Sequence, residues 1–402
     1  MRGLASYEGA PEDAMRSATR QAFEGLIDLA LDEQVEFLLI AGDLYDGDWP
    51  DYNTGLYFVR QITRLADAEI PVFIIAGNHD AASALTKKLR LPENCVMLST
   101  KEPDTRSLDN LGVSIHGQGF ATKAVLEDLS SAYPAPISDH LNIGMLHTSA
   151  NGRVGHENYA PCKVAELVAH GYDYWALGHV HTREILNESP WVVFPGNLQG
   201  RHTRETGGKG ATLVSFEDGQ ITGVEHRDLD VARWTVCKVD VSAALSEDDV
   251  ISAVSDALVG AVEASEDRLL AARIVISGSS KAHDAIATDI ERFTNEVRAQ
   301  AVGIGADRVW IEKVKVKTSS LIDIDEARDR DDAIGELLRS LRDLSAVDLD
   351  EIAEQFATLR SKLPVEIRQG DEPFDPADPD TLRAMLGDVE QMLLARLIGG
   401  EG

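Results

Sequence analysis

Four short polar strings, each directly after an apolar run of strand length, constrain this sequence more than any other feature. They are Gly42-Asp43-Leu44-Tyr45-Asp46, Gly77-Asn78-His79-Asp80, Leu146-His147-Thr148 and Gly178-His179-Val180-His181. Each string alone is weak, since a Gly-Asp or Gly-His pair after a strand is usually a turn. Because α/β sheets place ligand sites at the carboxyl ends of their strands, the four strings together predict one site on a buried sheet.

Residues 1–235 alternate between helix and strand patterns around these strings. Pro11 begins a stretch with apolar residues at a 3.6-residue period, and a second helix is predicted from Leu56 to Ala66. The predicted strands are Phe37–Ala41, Val72–Ala76, Val113–His116, Ile143–Leu146, Tyr174–Leu177, Val192–Phe194 and Thr212–Phe216. Continuous apolar strands between helices indicate a layered α/β domain with a buried sheet.

Residues 236–363 predict a smaller α+β accessory domain of order β-α-β-α-β, completed by two helices. Its predicted strands are Thr235–Val241, Leu269–Ile276 and Arg308–Lys317, and its helices include one capped by Ser246 and two near residues 332–344 and 349–363. Acidic, proline-rich residues 364–379 predict a linker. Residues 380–402 predict an amphipathic C-terminal helix that either docks on its own protein or binds a partner.

The net charge of −30 argues against broad, passive adhesion to nucleic acid or to an anionic membrane, and permits cation binding. No apolar run approaches the roughly 18–20 residues that span a bilayer, and no secretory signal pattern is present. Three well-separated cysteines predict no disulfide framework. We therefore expect a cytoplasmic protein with no membrane contact. Ten of the eleven histidines precede residue 235, which assigns any histidine chemistry to the first domain.

The residue types in the four strings indicate metal binding. Imidazole and carboxylate suit manganese, iron or zinc. His179 and His181 can both turn inward only if the backbone leaves regular strand geometry, which Gly178 makes easy. A carboxylate such as Asp43 can bridge two cations, and the amide oxygen of Asn78 is a neutral ligand. Two cations about 3.5–4 Å apart form the clamp used for in-line displacement at phosphorus.

The set GDxxD, GNHD, H and GHxH resembles the motifs of the calcineurin-like metallophosphoesterases. The string from Phe194 to Gly210 is similar, more narrowly, to the bacterial DNA repair exonuclease branch (SbcD/YhaO type). The specific resemblance covers roughly residues 2–235. It implies an α/β fold, a layered metallophosphoesterase β-sandwich flanked by helices, with residues 236–363 as a capping domain that helps to select the DNA end.

The resemblance also implies a ligand set for two divalent metal ions, with Mn²⁺ as the expected cation. The implied ligands are Asp43 for both metals, Asn78, His147 and His179 for the second metal, and His181 for the first. A metal-bridging hydroxide would be the nucleophile.

Two further residues receive catalytic roles from the same resemblance. His79 would stabilise the transition state and help the leaving oxygen depart, and Asp80 would orient His79. Asp46 either supports its own loop in the same way or simply caps it.

A local basic cluster follows the last string, against the overall sign of the chain. It consists of Arg201, His202, Arg204 and Lys209, which either contact substrate phosphate or form a solvated loop. His156 lies in the loop after His147, where it either reaches the substrate or is an ordinary loop histidine.

One element of the superfamily pattern is missing. Its first motif, a D-x-H at the end of the first strand, supplies two ligands to the first metal, and no Asp-x-His triplet occurs before Phe37. Either the start is assigned too far downstream, which we favour because every later motif is intact, or the protein is short with one weak metal site.

The expected function is a metal-dependent DNA phosphodiesterase of the exonuclease type. By resemblance its partners would be DNA ends, a large coiled-coil ATPase subunit and a second copy in a homodimer. The alternatives are a phosphatase or small-nucleotide phosphodiesterase on the same fold, and a catalytically impaired subunit that binds DNA or a partner.

Overall fold

The computed structural model describes residues 11–44, 53–82, 90–150, 159–321, 324–342, 346–363 and 374–398. The chain divides into two compact units. The first comprises Met1–Thr235 with Ser265–Ala271, and the second comprises Val236–Ala264 with Ala272–Gly402. None of the described helices is long and apolar enough to cross a membrane.

The described part of the first unit contains strands and helices in alternation. Its helices are α1 (Glu12–Asp32), α2 (Asn53–Asp67), α3 (Asn78–Ala82) and α4 (Val164–Ala169). Its strands are β1 (Leu38–Ile40), β2 (Val72–Ile74), β3 (Cys95–Met97), β4 (Asp104–Leu108), β5 (Val113–Gln118), β6 (Leu141–His147), β7 (Tyr174–Gly178), β8 (Glu184–Glu188), β9 (Trp191–Phe194), β10 (Gly210–Glu217) and β11 (Gln220–Asp228).

These strands form three sheets. Strands β1, β2 and β3 lie side by side in parallel. A six-stranded sheet has the order β4-β5-β6-β7-β9-β8, parallel at its centre and antiparallel at both margins. Strands β10 and β11 form an antiparallel ribbon. Parallel neighbours bring their carboxyl ends to the same edge, and this arrangement positions the site.

The apolar period predicted after Pro11 is the buried face of α1. Met15, Ala18 and Ala22 are buried, and Phe23 packs against Phe58 of α2 with ring centroids 5.6 Å apart. The same cluster takes in one face of β2, through Val72 and Ile74. Both helices therefore cover one side of the β1–β3 sheet.

The other face of β2 lies against the six-stranded sheet. Phe73 and Ile75 pack with Ile115, Ile143 and Met145 in one buried cluster. On the far side of the larger sheet, the fully buried Trp175 packs with Leu167 of α4. The layers are thus helix, sheet, sheet and helix, which confirms the predicted α/β sandwich flanked by helices.

The structure differs from the sequence expectation at β1. The expected buried strand Phe37–Ala41 is shorter, Leu38–Ile40, and all three of its residues are only partly buried. Among the described residues β1 pairs with β2 alone, so one of its edges lacks a neighbouring strand. The strands β3, β4, β8 and β11 have no counterpart among the predicted strands, because they are short or carry mostly polar residues.

The second unit contains a three-stranded sheet of order β12-β13-β14 with helices between its strands. In chain order the elements are β12 (Ala232–Asp240), α5 (Glu247–Glu263), β13 (Leu269–Ser279), α6 (His283–Thr288), α7 (Ile290–Ile304), β14 (Val309–Ser319), α8 (Ile324–Arg328), α9 (Ala333–Arg342), α10 (Ala346–Lys362) and α11 (Pro379–Ile398). Ser246 and Asp249 form the predicted capping box of α5. Residues 364–373 of the predicted linker lie outside the described residues.

Candidate metal centre

The strand ends bring the predicted ligands to one edge of the first unit. β6 ends at His147, and β7 ends at Gly178, directly before His179. Asn78 is the first residue of α3, shortly after β2, and Asp43 follows β1. Each ligand is therefore carried by the carboxyl end of a different strand, as the four strings predicted.

The ligand atoms of three of these residues converge. One carboxylate oxygen of Asp43 and one ring nitrogen each of His147 and His179 all lie within 4.8 Å of one another. His147 Nε2 is 3.4 Å from Asp43 Oδ2 and 3.0 Å from Asn78 Oδ1. The structure thus brings together the four residues expected to hold the second metal.

The orientation of His147 is fixed by its other ring nitrogen. Nδ1 lies 2.9 Å from the carbonyl oxygen of Ala41, so Nδ1–H donates there and Nε2 faces Asp43 and Asn78. A backbone carbonyl on the far nitrogen is the usual support of a metal-binding histidine. The ring of Phe120 packs edge-on against His147, with centroids 5.3 Å apart, and Tyr159 packs in the same way against His179 at 5.7 Å.

The electrostatics favour a cation between these groups. Burial by itself raises the pKa of the Asp43 carboxyl, but the hydrogen bond and charge of His147 and the backbone N–H of His79 outweigh it and lower that pKa. Burial works to lower the pKa of His147, yet the hydrogen bond and charge of Asp43 raise it. A partly buried anion therefore faces the site and attracts positive charge.

Two glycines create the space for this convergence. A Cβ on Gly178 would overlap the carbonyl oxygen of Ala41, and a Cβ on Gly77 would overlap Asp43 Oδ1. From the sequence, Gly178 is expected to supply the unusual backbone conformation. This is wrong in detail, because His179 itself takes the positive φ of 101° while Gly178 supplies room.

His79 and Asp80 hold the loops around the ligands. The His79 backbone N–H donates to Asp43 Oδ1 at 3.0 Å. Asp80 Oδ2 accepts from the N–H of Gly77 at 3.0 Å and of Leu44 at 3.2 Å. These two contacts of Asp80 tie together the two loops that carry Asp43 and Asn78.

His181 is placed differently from the other ligands. Within the described residues it is not a member of the group whose ligand atoms converge within 4.8 Å, although it lines the same cavity as Asp43 and His179. Its Nδ1 lies 2.5 Å from Oε1 of Glu205, a buried residue that sequence reasoning did not select. The one feature of the sequence that could have identified Glu205 is that it is an acidic residue inside the otherwise basic stretch from Arg201 to Lys209.

Glu205 is held as an anion. Burial alone raises its pKa, but the hydrogen bond and charge of His181, the backbone N–H of Arg201 and the charge of His202 lower the pKa to about 2. Its Oε2 accepts from Asn197 Nδ2 at 3.0 Å and from the Arg201 N–H at 2.8 Å. His181 is therefore hydrogen-bonded to a carboxylate that other hydrogen bonds hold in place.

The basic cluster is only partly a surface feature. Lys209 is 4% exposed and its Nζ donates to the carbonyl oxygen of His181 at 3.1 Å. The solvated alternative for Lys209 is therefore wrong, while its contact with substrate phosphate stays a prediction. Arg201 and His202 lie 4.0 and 3.7 Å from Glu205 Oε1, whereas Arg204 is exposed.

Two other candidates from the sequence, Asp46 and His156, lie outside the described residues. Among the remaining candidates, one carboxylate, two imidazoles and one amide oxygen form a donor set that suits a divalent transition metal. The residues present thus fit one divalent cation.

This fold and donor set define a metallophosphoesterase, and sequence comparisons agree. The profile of calcineurin-like phosphoesterases matches residues 16–183, and the profile of the middle domain of metallophosphoesterase YhaO matches residues 234–319. The chain therefore carries a calcineurin-like metallophosphoesterase domain, as its motifs suggested.

Individual relatives of the chain narrow the comparison further than the family profiles do. The chain is 36% identical over 246 residues to the uncharacterized metallophosphoesterase YhaO of Bacillus subtilis, covering 60% of each protein. It is 28% identical to the DNA double-strand break repair protein Mre11 of Sulfurisphaera tokodaii, over 55% of this chain and 59% of that protein. The Mre11 of Methanopyrus kandleri is 24% identical over 93% of this chain and 80% of its own length. The chain spans about three fifths of the length of the first two relatives.

Proposed function

We propose that this chain is a metal-dependent phosphodiesterase that hydrolyses DNA. The observation that carries the proposal is the convergence of Asp43, His147 and His179 within 4.8 Å at the carboxyl ends of three strands. Such a donor set has little structural use without a cation, because it holds a partly buried carboxylate between two imidazoles.

Each ligand has a defined part in holding cations. Asp43, Asn78, His147 and His179 would hold one divalent cation, and Asp43 with His181 would hold a second. When bound, a divalent cation stabilises negative charge that develops on the phosphoryl oxygens. We propose Mn²⁺ as the cation, since mixed imidazole and carboxylate oxygen ligands suit it.

His79 is the candidate proton donor. Its backbone is anchored to Asp43 by the 3.0 Å hydrogen bond, and it lines the same cavity as Asp43, His179 and His181. The anchor would keep the imidazole beside the scissile phosphate, where it can protonate the departing oxygen. A positioned general acid of this kind contributes about 10²- to 10⁴-fold to a rate.

The proposal that DNA is the substrate is supported by the relatives that are described as DNA double-strand break repair proteins. The net charge of −30 makes tight binding by the bare chain unfavourable, so bound cations must supply the local positive field. A coiled-coil ATPase partner and a homodimer, both implied by the motif resemblance, would supply the remaining affinity for DNA ends. Exposed apolar residues on α10 and α11, Phe356, Leu359 and Met385, support a partner contact on these helices.

The deciding experiment compares two substrates with Mn²⁺ added and then chelated. We expect Mn²⁺-dependent cleavage of a linear duplex oligonucleotide, loss of cleavage with chelator, and little turnover of a chromogenic phosphate monoester. The Asp43→Asn protein is the matched control for contaminating nuclease. Turnover of the small ester alone would instead identify a phosphatase on the same fold.

A second candidate is a binding subunit with one cation and little or no activity. It is favoured by the position of His181, which among the described residues does not join the three converging ligands. Elemental analysis after equilibration with Mn²⁺ separates the two proposals. Two cations per chain support the phosphodiesterase, and one cation per chain without DNA cleavage supports the binding subunit.

A further inference from the structure

The chain between β9 and β10 contains neither helix nor strand, yet it carries the carboxylate that holds His181. Residues 197–209 of this stretch, the support loop, include Glu205. The loop begins at His181 itself, because the Asn197 N–H donates to the His181 carbonyl oxygen at 3.2 Å. A stretch without the regular bonds of a helix or sheet must find partners for its polar groups elsewhere, and those partners fix its course.

One segment of the chain binds the support loop along its length. This clasp segment, residues 229–234, joins β11 to β12 and includes the first residues of β12. The Gln199 side chain of the loop accepts from the N–H groups of Val231 and Ala232 at 2.9 and 3.2 Å. It also donates to the Ala232 carbonyl oxygen at 2.5 Å. Gln199 is buried, so these hydrogen bonds face little competition from water.

Trp234 contacts the middle of the support loop. Its indole N–H donates to the Gly200 carbonyl oxygen at 3.0 Å, and its own carbonyl oxygen accepts from the Gly207 N–H at 3.2 Å. A Cβ on Gly200 would lie 3.0 Å from Cδ1 of Trp234 and 2.8 Å from the Glu205 carbonyl oxygen. The Trp234 ring and the Glu205 backbone therefore both lie against Gly200, with no room there for a side chain.

The clasp segment is itself anchored by a network of ion pairs. The buried Asp230 carboxylate lies 2.9 Å from Arg233 Nη2 and 3.0 Å from Arg268 Nε. The N–H groups of Leu229 and Asp230 donate to the Lys209 carbonyl oxygen at 2.8 and 3.0 Å, at the end of the support loop. Charge-assisted hydrogen bonds of this kind are about twice as strong as neutral ones, so the segment is a firm base for the loop.

The strand that starts in the clasp segment continues into the second unit. The main part of the first unit ends at Thr235 and the second unit begins at Val236, and both residues lie inside β12. The strand that fixes the support loop is thus also the strand that leads into the second unit.

We propose that Gln199 and Trp234 are positioning residues of the metal centre, which act on His181 through Glu205. While the clasp segment binds the support loop, the Glu205 carboxylate stays 2.5 Å from His181 Nδ1. Loss of the clasp contacts frees the loop, and the carboxylate is then no longer held against the imidazole. The order of the metal centre therefore depends on the start of β12. The importance of this for catalysis rests on the proposed function, whereas the contact itself requires neither cation nor substrate.

The test compares two matched tryptophans in the whole chain without cation. Trp234 and Trp175 are both buried in strands of the first unit. Each indole donates to a backbone carbonyl oxygen, that of Gly200 at 3.0 Å and that of Leu167 at 3.1 Å. Phenylalanine at either position keeps an aromatic ring and removes the hydrogen bond, but only Trp234→Phe should loosen the support loop.

Two measurements follow the loop. The proton between His181 Nδ1 and Glu205 gives a downfield NMR signal in histidine-labelled protein, and Glu205→Gln identifies it because an amide oxygen accepts a weaker hydrogen bond. Trp234→Phe should broaden or shift this signal. The Arg201 amide, which donates to Glu205, should exchange with solvent about 2- to 10-fold faster, the range for loss of one hydrogen bond. Trp175→Phe should change neither.

Equal changes in both variants would assign Trp234 an ordinary structural role and overturn the proposal, as would an unchanged His181 signal in Trp234→Phe. If either variant does not fold, hydrogen exchange of the unsubstituted chain gives the answer. The Trp234 indole N–H and the Arg201 amide should then open together, with equal protection from exchange. An Arg201 amide that opens while the Trp234 indole stays protected would equally overturn the proposal.

Discussion

Glu205 Oε1 accepts a hydrogen bond from His181 Nδ1 at 2.5 Å, across 24 residues of chain. The contact fixes the proton on Nδ1 and leaves Nε2 as the nitrogen available to a cation. Lys209 supports the same loop from behind, through its hydrogen bond to the His181 carbonyl. The imidazole that does not join the converging group is thus held in place by a carboxylate, and its backbone is held by a lysine.

This support predicts the behaviour of Glu205→Gln. The amide keeps the shape but removes the charge opposite His181, so we expect divalent cation affinity to fall about 10- to 100-fold, as for other carboxylates that support a metal-binding histidine. Titration calorimetry with Mn²⁺ measures the effect. Glu188→Gln, at an exposed position on β8, is the matched control. An unchanged affinity in both variants would show that Glu205 has no part in cation binding.

Substitutions of Asp43 and of His79 are expected to have different effects on cation binding and on DNA cleavage. Asp43→Asn removes the anion at the centre of the ligand group, so both cation binding and DNA cleavage should be lost. His79→Ala should retain cation binding while turnover falls by about 10²- to 10⁴-fold, the usual contribution of a general acid. His140→Ala, at the opposite end of β6 from His147, serves as the control. Retained cleavage in both site variants contradicts the assigned roles.

Gly178 is predicted to be required because a side chain at this position would collide with neighbouring atoms of the metal centre. An added methyl group would meet the Ala41 carbonyl oxygen and the His147 ring, so Gly178→Ala should lower the free energy of unfolding by about 1–3 kcal/mol. Gly260 in α5 has nothing within 4 Å of the same methyl group, and Gly260→Ala should raise stability by about 0.5–1 kcal/mol. Urea unfolding of both proteins measures the difference. Equal effects of the two substitutions would refute the close-approach argument.

The buried His116 predicts a loss of stability in mild acid. Its Nε2 lies 3.1 Å from Asn142 Oδ1 and its Nδ1 lies 2.9 Å from Thr105 Oγ1, which suits a neutral ring. Burial lowers the pKa of His116 from 6.5, only partly offset by the Asn142 hydrogen bond. As pH falls below 6.5, the unfolded chain takes up a proton that the folded protein does not, so the stability of the folded state falls.

Urea unfolding at about pH 7.5 and about pH 5.5 measures this loss of stability. The expected result is a smaller decrease for His116→Gln than for the unsubstituted chain, because glutamine does not titrate in this range. The same decrease in both proteins would assign the acid sensitivity to other groups.

Local sequence patterns are enough to predict the layered fold and most of the metal centre. Helix periods, apolar strands and the polar residues after them are all local, and parallel pairing necessarily collects strand ends at one edge. The positions of Asp43, Asn78, His147 and His179 after their strands therefore predict that they share one edge, and the resemblance to the family's motifs implies that they are metal ligands. Trp175, which lies in an apolar strand, is likewise predicted to be a core residue, and it is fully buried.

Tertiary contacts alone determine which residues support His181. They also determine which edge of the β1–β3 sheet lacks a neighbouring strand among the described residues. Whether a charged residue is a solvated loop residue or a buried partner depends on what the fold places opposite it, and Glu205 and Lys209 show no local pattern that distinguishes the two. The sequence of a strand shows whether its faces are apolar. Whether each edge of the strand pairs with another strand depends on residues far away in the chain, as the partly buried β1 illustrates.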